Sequence, residues 1–171
     1  MDFFDVVKHR RSVRVFRRTA VAPQMLQRIL EAANTAPSAG NLQAYEIFVI
    51  ADDRTRSALA RAAYDQLFLA GAPVLLVFCT HAARAMRYGK RGEELYTIQD
   101  ATIACAFAML AATALGLATV WVGAFDTDDV RSAIGAPLST TPIAILPIGY
   151  AAEDPAFPGR RALDDLVHRK E

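Results

Sequence analysis

The chain has 171 residues, of which 53% are hydrophobic and 22% charged, and its net charge is +1. This length fits one domain, expected to span residues 1–171, which can bury about 70% of the surface of the extended chain. The near-neutral charge excludes general trapping of polyanions, and the excess of apolar residues predicts an oligomer interface.

Cysteines, histidines and the N-terminus restrict the class of protein further. Cys79 and Cys105 lie in apolar runs, which predicts buried small hydrophobes in a reducing compartment. The three histidines lack the spacing of metal ligands, so no metal site is expected. The N-terminus MDFFDVVKH mixes charges with apolar residues, which excludes a secretory signal. We expect a cytoplasmic protein with no membrane partner.

The first third of the chain predicts two helices and a strand. Asp2 is expected to cap a short helix, which delivers the sequence RRSVR, residues Arg10–Arg14, on a loop or short strand. Pro23 suits the first turn of a second helix, and Pro37 ends it before a polar turn. The run Tyr45–Ala51 predicts a strand.

The middle of the chain predicts a third helix, a central strand and a long fourth helix. Asp52 or Asp53 is the expected N-cap of the third helix, which extends toward Leu67. Val74–Cys79 is too apolar for a half-exposed strand and is expected to be covered on both faces. Residues 81–90 form a basic connection that is either mobile or a surface helix. Residues 93–117 carry the longest helical pattern.

That long helix is apolar all round between Ala101 and Leu115, so we expect it to be enclosed on all sides. A membrane span is the rival interpretation. The unbroken apolar stretch Ile103–Ala112 is far shorter than the roughly 20 residues that a span requires. The many alanines favour close approach of a second helix, contributed by a partner subunit.

The last third predicts two strands and a small helix. Thr119–Val122 is a short strand, Thr127 caps a helix through Ile134, and Pro142–Tyr150 is the fourth strand. A loop and a short terminal element follow. The expected fold is α+β, with a central sheet of four or five strands and helices on both faces.

The arginines near the N-terminus are the strongest candidate binding site. Three guanidiniums and a hydroxyl within Arg10–Arg14 match the geometry of phosphate, although an arbitrary basic run is more often a solvated surface. Arg160 follows a Gly/Pro loop at the far end and can join them on one dianion if the chain ends meet. The turn PSAGNLQ is by itself more typical of a helix end. Its small polar groups, and the backbone of Val122 and Gly123, can also hydrogen-bond a flat heteroaromatic ring.

No residue stands out as a nucleophile or general base, which is typical of a protein whose cofactor carries the chemistry. A nucleic-acid module is disfavoured, because only Phe16 interleaves with the arginines between positions 10 and 18.

Four stretches occur in order over nearly the whole chain: RRSVR, AANTAPSAGNLQAYEIFVI, GLATVWVGAF and PIGYAAEDPAFPGRRALDDLVH. Together they resemble the FMN-dependent nitroreductase family, in its short single-domain form. The resemblance implies an intertwined homodimer with shared FMN sites. It implies hydride transfer from NAD(P)H to a second substrate, such as a nitroaromatic or quinone, by a ping-pong mechanism. The alternative is a flavin-binding, flavin-fragmenting or dehalogenating member of the same fold.

The resemblance also assigns roles to residues. The arginine segment and Arg160 would hold the FMN phosphate, the turn would reach the flavin bound by the partner subunit, and the Gly123 amide would face flavin N5. The full set of expected cofactor-binding residues is Arg10, Arg11, Ser12, Arg14, Pro37, Ser38, Asn41, Gln43, Gln66, Val122, Gly123 and Arg160.

Three positions depart from the family pattern. Ala44 replaces a common proline and Ala118 replaces a glycine, and both changes are expected to alter packing only. Pro158 replaces a second basic residue, which is expected to weaken phosphate binding. The chain is short for the family, so the site is expected to be open, or lidded only by residues 84–92.

Overall fold

A computed structural model describes residues 1–170, and Glu171, the last residue of the expected domain, lies outside the described residues. A four-stranded antiparallel sheet forms the centre, in the order β1-β2-β4-β3. The strands are β1 (Tyr45–Ile50), β2 (Val74–His81), β3 (Ala118–Thr119) and β4 (Thr140–Gly149). The predicted α+β fold with a four-stranded sheet is confirmed.

Eight helical segments surround the sheet in the described part of the chain. They are α1 (Phe3–His9), α2 (Pro23–Asn34), α3 (Asp53–Ala62), α4 (Phe68–Gly71), α5 (Ala82–Ala85), α6 (Gly89–Arg91), α7 (Thr97–Ala114) and α8 (Thr127–Ala133). Shorter 3₁₀ turns lie at Ala39–Asn41, Met86–Tyr88 and Leu163–Asp165, and a π-helical turn at Gly92–Tyr96 precedes α7.

Aspartate side chains cap three of these helices. Asp2 accepts from the Asp5 amide, and Asp52 accepts from the Thr55 amide, both at 2.8 Å. The prediction that Thr127 caps α8 is wrong, because Asp126 is the N-cap and accepts from two amides of the first turn. An aspartate one residue earlier satisfies the same free amides at the helix start.

The sheet is covered on both faces, as predicted. Leu76 and Phe78 of β2 pack into a cluster with α2 and α7, whereas Leu75 and Val77 pack into a second cluster with α3, α4 and α8. All four side chains are fully buried. Because successive side chains of a strand point to opposite faces, a uniformly apolar strand requires cover on both sides.

Helix α7 is enclosed on one side only within this chain, and its complete enclosure by a partner subunit stays a prediction. Its inward face is a row of fully buried alanines, Ala104, Ala108 and Ala112, which pack against α2 and the sheet. Ile98 and Phe107 on the same helix are 44% and 37% exposed. The helical run Ala82–Ala114 is long and apolar enough to cross a membrane by length and composition, but the core helix of a soluble protein meets the same criteria.

Two other predictions need correction, and one open alternative is decided. The strand expected at Thr119–Val122 is interrupted: β3 ends at Thr119, and Val122 makes a separate bridge to Ile145. Helix α3 ends before Leu67, which lies in an exposed turn. The basic connection after β2 is a series of short helical turns, so of the two alternatives the surface helix is the one observed.

Candidate functional site

The arginine segment lies in an extended conformation along the β3 edge of the sheet. The Val13 amide donates to the Thr119 carbonyl at 3.1 Å, and the Arg17 amide donates to the Tyr150 carbonyl at 2.8 Å. These bonds bring the start of the chain beside the loop that follows β4. The result is a cleft of about 390 Å³ lined by Arg10, Arg11, Ser12, Arg14, Pro155, Ala156, Phe157, Pro158 and Arg160. The N-terminal arginines and Arg160 therefore line the same cleft, which is the condition under which they can bind one dianion.

The cleft has uncompensated positive charge. Within residues 1–170, none of its four arginines forms a salt bridge with an aspartate or glutamate. Burial, and then the neighbouring charges of Arg160 and Arg11, lower the pKa of Arg10. A bound dianion would relieve this repulsion while accepting charge-assisted hydrogen bonds.

Glu153 lies next to these arginines and forms no salt bridge with them. Its side chain accepts from the backbone amides of Arg14 and Val15, so the carboxylate fixes the extended backbone. The guanidinium carbons of Arg11 and Arg160 each lie 5.0 Å from the centroid of the Phe157 ring. Backbone and ring contacts thus position the guanidiniums for an anion.

The polar turn before β1 has an unusual backbone. Gly40, Asn41 and Gln43 have φ angles of 55°, 57° and 48°, in the left-handed region that non-glycine residues seldom adopt. The Ser38 hydroxyl accepts from the Gln43 amide at 3.0 Å, which closes the turn. The Gln43 side chain donates to Asn34 Oδ1 at 3.2 Å, so part of its amide is already engaged within the chain.

Asp100, on α7, holds this turn in place. Its carboxylate is 2% exposed and accepts from the Ala39 amide at 2.9 Å and the Ala44 amide at 3.2 Å, one at each end of the turn. The sequence analysis did not assign Asp100 to the site. The available signal was its position as a lone acid at the start of an almost wholly apolar helix.

The alanine at position 44 does more than alter packing, which corrects that expectation. Its amide is one of the two donors to Asp100. A proline at this position has no N–H and could not make the bond. Ala44 and the buried carboxylate therefore act together.

The remaining predicted residues lie near the end of β3. The backbone N–H and C=O of Val122 are both paired with Ile145, at 3.0 and 2.9 Å, so they are not available to a ligand. The Gly123 amide has no hydrogen-bond partner among the described residues. The Gln66 side chain donates to the Ala124 carbonyl at 2.9 Å, which ties the turn after α3 to the segment beside Gly123.

The predicted site residues form two groups rather than one. Tyr45, at the base of the turn, pairs with Thr80 of β2. Thr119, beside the arginine cleft, pairs with Ile148 of β4, which in turn pairs with Val74 at the other end of β2. Tyr45 and Thr119 are therefore three strands apart, at about 4.8 Å per strand, and six residues apart along the strand direction, at about 3.4 Å per residue, which places them more than about 20 Å from each other. One chain therefore does not bring the turn and the arginine cleft together.

Comparison with known proteins agrees with the resemblance read from the motifs. The sequence model of the Nitroreductase family matches residues 7–68 and 60–150. The chain is 33% identical over 180 residues to an NADH dehydrogenase of Thermus thermophilus, covering 89% of this chain and 87% of the relative. It is 29% identical over 174 residues to an FMN reductase [NAD(P)H] of Bacillus subtilis, covering 94% of this chain and 70% of the relative.

Comparison of the fold with solved structures also agrees with this resemblance. The hypothetical oxidoreductase YcnD from Bacillus subtilis superposes with a TM-score of 0.92 at 27% identity, covering all of this chain and 75% of that chain. The chain therefore belongs to the nitroreductase family.

Proposed function

We propose that this protein takes hydride from NAD(P)H and reduces a second small molecule, such as a nitroaromatic or a quinone, by a ping-pong mechanism. Membership of the family makes the chain an NAD(P)H-dependent oxidoreductase with FMN as its cofactor. The observation that carries the proposal is the cleft of unpaired arginines, whose charge and donor geometry fit a phosphate monoester.

The arginine cleft fits the FMN phosphate in number and kind of donors. Arg10, Arg14 and Arg160 supply guanidinium forks, and Ser12 adds a small hydroxyl. Each charge-assisted hydrogen bond contributes about 1.5–3 kcal/mol, so three of them contribute about 4.5–9 kcal/mol, which corresponds to dissociation constants from about 0.5 mM to about 0.3 μM. Arg11 contributes charge, although its own guanidinium also donates to the Lys8 carbonyl at 2.6 Å.

When bound, FMN would supply hydride acceptance at N5 and electron delivery to the second substrate. The unpaired Gly123 amide would donate a hydrogen bond to that edge of the ring. Gln66 would hold the segment beside it through Ala124. Both substrates would use the same face in turn, so the oxidised nicotinamide must leave before the acceptor binds.

We infer a homodimer in which the turn of one subunit completes the cleft of the other. Pro37, Ser38 and Asn41 lie too far from the arginine cleft of their own chain to contact the same ring. An exposed apolar groove of about 500 Å³ next to α7 supports this arrangement, because a soluble chain rarely leaves such a surface uncovered. It is lined by Met1, Phe3, Val6, Ala32, Phe107, Leu110, Ala111 and Ala114. We further propose a cytoplasmic protein without nucleic-acid or membrane partners.

The first test is spectroscopic. Purified protein should be yellow, and anaerobic NADH or NADPH should bleach that colour. A nitroaromatic or a quinone should then restore the colour. Restoration by halogenated phenols would instead favour the dehalogenation alternative. Parallel double-reciprocal plots are expected for a ping-pong mechanism. Protein that purifies colourless and binds no added FMN would overturn the proposal.

The shared site is tested by complementation between subunits. Arg14→Ala and Asn41→Ala chains are co-expressed with different tags, and the heterodimer is purified. If the two groups meet across the interface, the heterodimer has one intact and one doubly damaged site, and its activity is close to half that of the wild type. Activity no higher than the average of the two parent variants would mean that each flavin uses one chain only.

A further inference from the structure

A second cluster of arginines lies outside the cleft proposed for the FMN phosphate. Four cations occur within eight residues of the segment between β2 and α7, at positions 84, 87, 90 and 91. Lys90 pairs with Glu94 at 3.6 Å. Arg84, Arg87 and Arg91 are exposed and form no salt bridge with any aspartate or glutamate in the part of the chain that the structure describes.

Two tyrosines are interleaved with these arginines. The Arg87 guanidinium carbon lies 4.8 Å from the centroid of Tyr88, and that of Arg91 lies 5.6 Å from the centroid of Tyr96. The two rings meet edge to face at 5.4 Å. We call Arg84, Arg87, Tyr88, Arg91 and Tyr96 the arginine–tyrosine patch. Arg87 Nη2 and Arg91 Nε also donate to the hydroxyls of Tyr88 and Tyr96, and the other guanidinium N–H groups are available to a ligand.

The patch is attached to the turn that is proposed to reach the flavin. Arg84 Nε donates to the Leu42 carbonyl at 3.0 Å, and Arg87 Nη2 donates to the Gly40 carbonyl at 3.3 Å. A Cβ atom at Gly40 would lie 1.8 Å from Arg87 Nη2, so a side chain at this position would displace the guanidinium from its contact with the turn. A molecule stacked at the turn therefore has the patch beside it.

We propose that the arginine–tyrosine patch binds the adenosine end of the nicotinamide substrate and that its arginines receive the 2′-phosphate, so that the enzyme prefers NADPH to NADH. This inference rests on the proposed function. The FMN phosphate is accounted for by the cleft at Arg10, so the three arginines of the patch are available to a different anion. A 2′-phosphorylated adenosine offers both a dianionic monoester for guanidinium forks and a flat ring for a tyrosine face. NADH lacks the monoester and would leave the three charges uncompensated.

Arg91 is the residue best suited to test the patch. Its side chain contacts Tyr96, whereas Arg84 and Arg87 also hold the turn. Flavin-loaded protein is titrated calorimetrically with 2′,5′-ADP and with 5′-AMP, so that the cleft at Arg10 is occupied. The wild type should bind 2′,5′-ADP at least tenfold more tightly. Arg91→Gln should lose about tenfold to a hundredfold of that affinity, because a charge-assisted contact is removed.

Two further variants separate charge from fork geometry and from general surface effects. Arg91→Lys keeps the charge without the planar fork and should give an intermediate affinity. Arg54→Gln, a matched exposed arginine on α3, should bind both nucleotides as the wild type does. In steady-state assays, Arg91→Gln should lower kcat/KM for NADPH by the same factor and leave that for NADH within about twofold.

Each outcome decides one of the two proposals. Equal affinity of the wild type for 2′,5′-ADP and 5′-AMP, or unchanged 2′,5′-ADP binding in Arg91→Gln, overturns the assignment of the patch even if both nicotinamides are oxidised. Protein that oxidises neither nicotinamide overturns the proposed function. The patch is then still tested in flavin-free Arg10→Ala protein, whose cleft is weakened for phosphate, because adding Arg91→Gln to it must weaken 2′,5′-ADP binding further.

Discussion

Replacing Asp100 with asparagine isolates the contact that holds the polar turn. The carboxylate accepts hydrogen bonds from two backbone amides, one at each oxygen. Asparagine has one carbonyl oxygen to accept from one of these amides, and its NH₂ group faces the other amide and cannot accept from it. One charge-assisted bond is lost, at about 1.5–3 kcal/mol, and the other becomes a neutral bond that is weaker by about 1 kcal/mol. Relief of the cost of burying a charge offsets part of this. We expect a net loss of about 2–3 kcal/mol in the free energy of unfolding.

Urea unfolding measures that loss at a fixed protein concentration, since the stability of the proposed dimer would depend on concentration. The melting temperature should fall by about 4–12 °C for a domain of this size. Asp164→Asn, at an exposed position, is the control and should stay within about 0.5 kcal/mol of the wild type. Because the turn carries Ser38 and Asn41, Asp100→Asn should also retain less flavin. An Asp100→Asn protein as stable and as yellow as the wild type would refute the structural role of this carboxylate.

Four other predictions follow from single contacts. Arg10→Ala should weaken FMN binding about a hundredfold in fluorescence titration, with Arg10→Lys intermediate, and a variant that purifies with full flavin would contradict the phosphate assignment. Ala44→Pro should lower the free energy of unfolding by about 3 kcal/mol or more, but should cost less when combined with Asp100→Asn, because the two residues share one bond. Ala108→Glu should yield insoluble protein, because Ala108 is fully buried. Phe107→Glu should remain soluble and sediment as a monomer, because Phe107 is exposed on the same helix. A soluble Ala108→Glu protein or a dimeric Phe107→Glu protein would be inconsistent with this placement. Burial, and then the charge of Asp100, raise the pKa of Tyr45 above 10.0. The protonated Tyr45 hydroxyl therefore contributes fully to stability below pH 10, and this contribution declines as the pH rises through the folded pKa. Tyr45→Phe should flatten that decline when urea unfolding is repeated at increasing alkaline pH.

The sequence alone determined the main elements and the chemical character of the site. The helical spacing after Pro23 and the unbroken apolar run Val74–Cys79 predicted α2 and the central strand, because both patterns reflect local periodicity and burial. Arginines clustered at Arg10–Arg14 predicted an anion site for the same kind of reason, since charge and donor geometry belong to the residues themselves. The motifs in order along the chain then indicated the family that the comparisons confirm.

Only the tertiary structure determined which residues act together. Asp100 contacts amides that lie 61 and 56 residues earlier in the chain, and no spacing in the sequence relates those positions. The same contact explains why an alanine at position 44 is compatible with the turn, where sequence comparison suggested only a change in packing. The separation of the turn from the arginine cleft depends on strand order and register, which are properties of the folded sheet. Residue types and local spacing fix the chemistry that each segment can perform, whereas long-range packing fixes which segments perform it together.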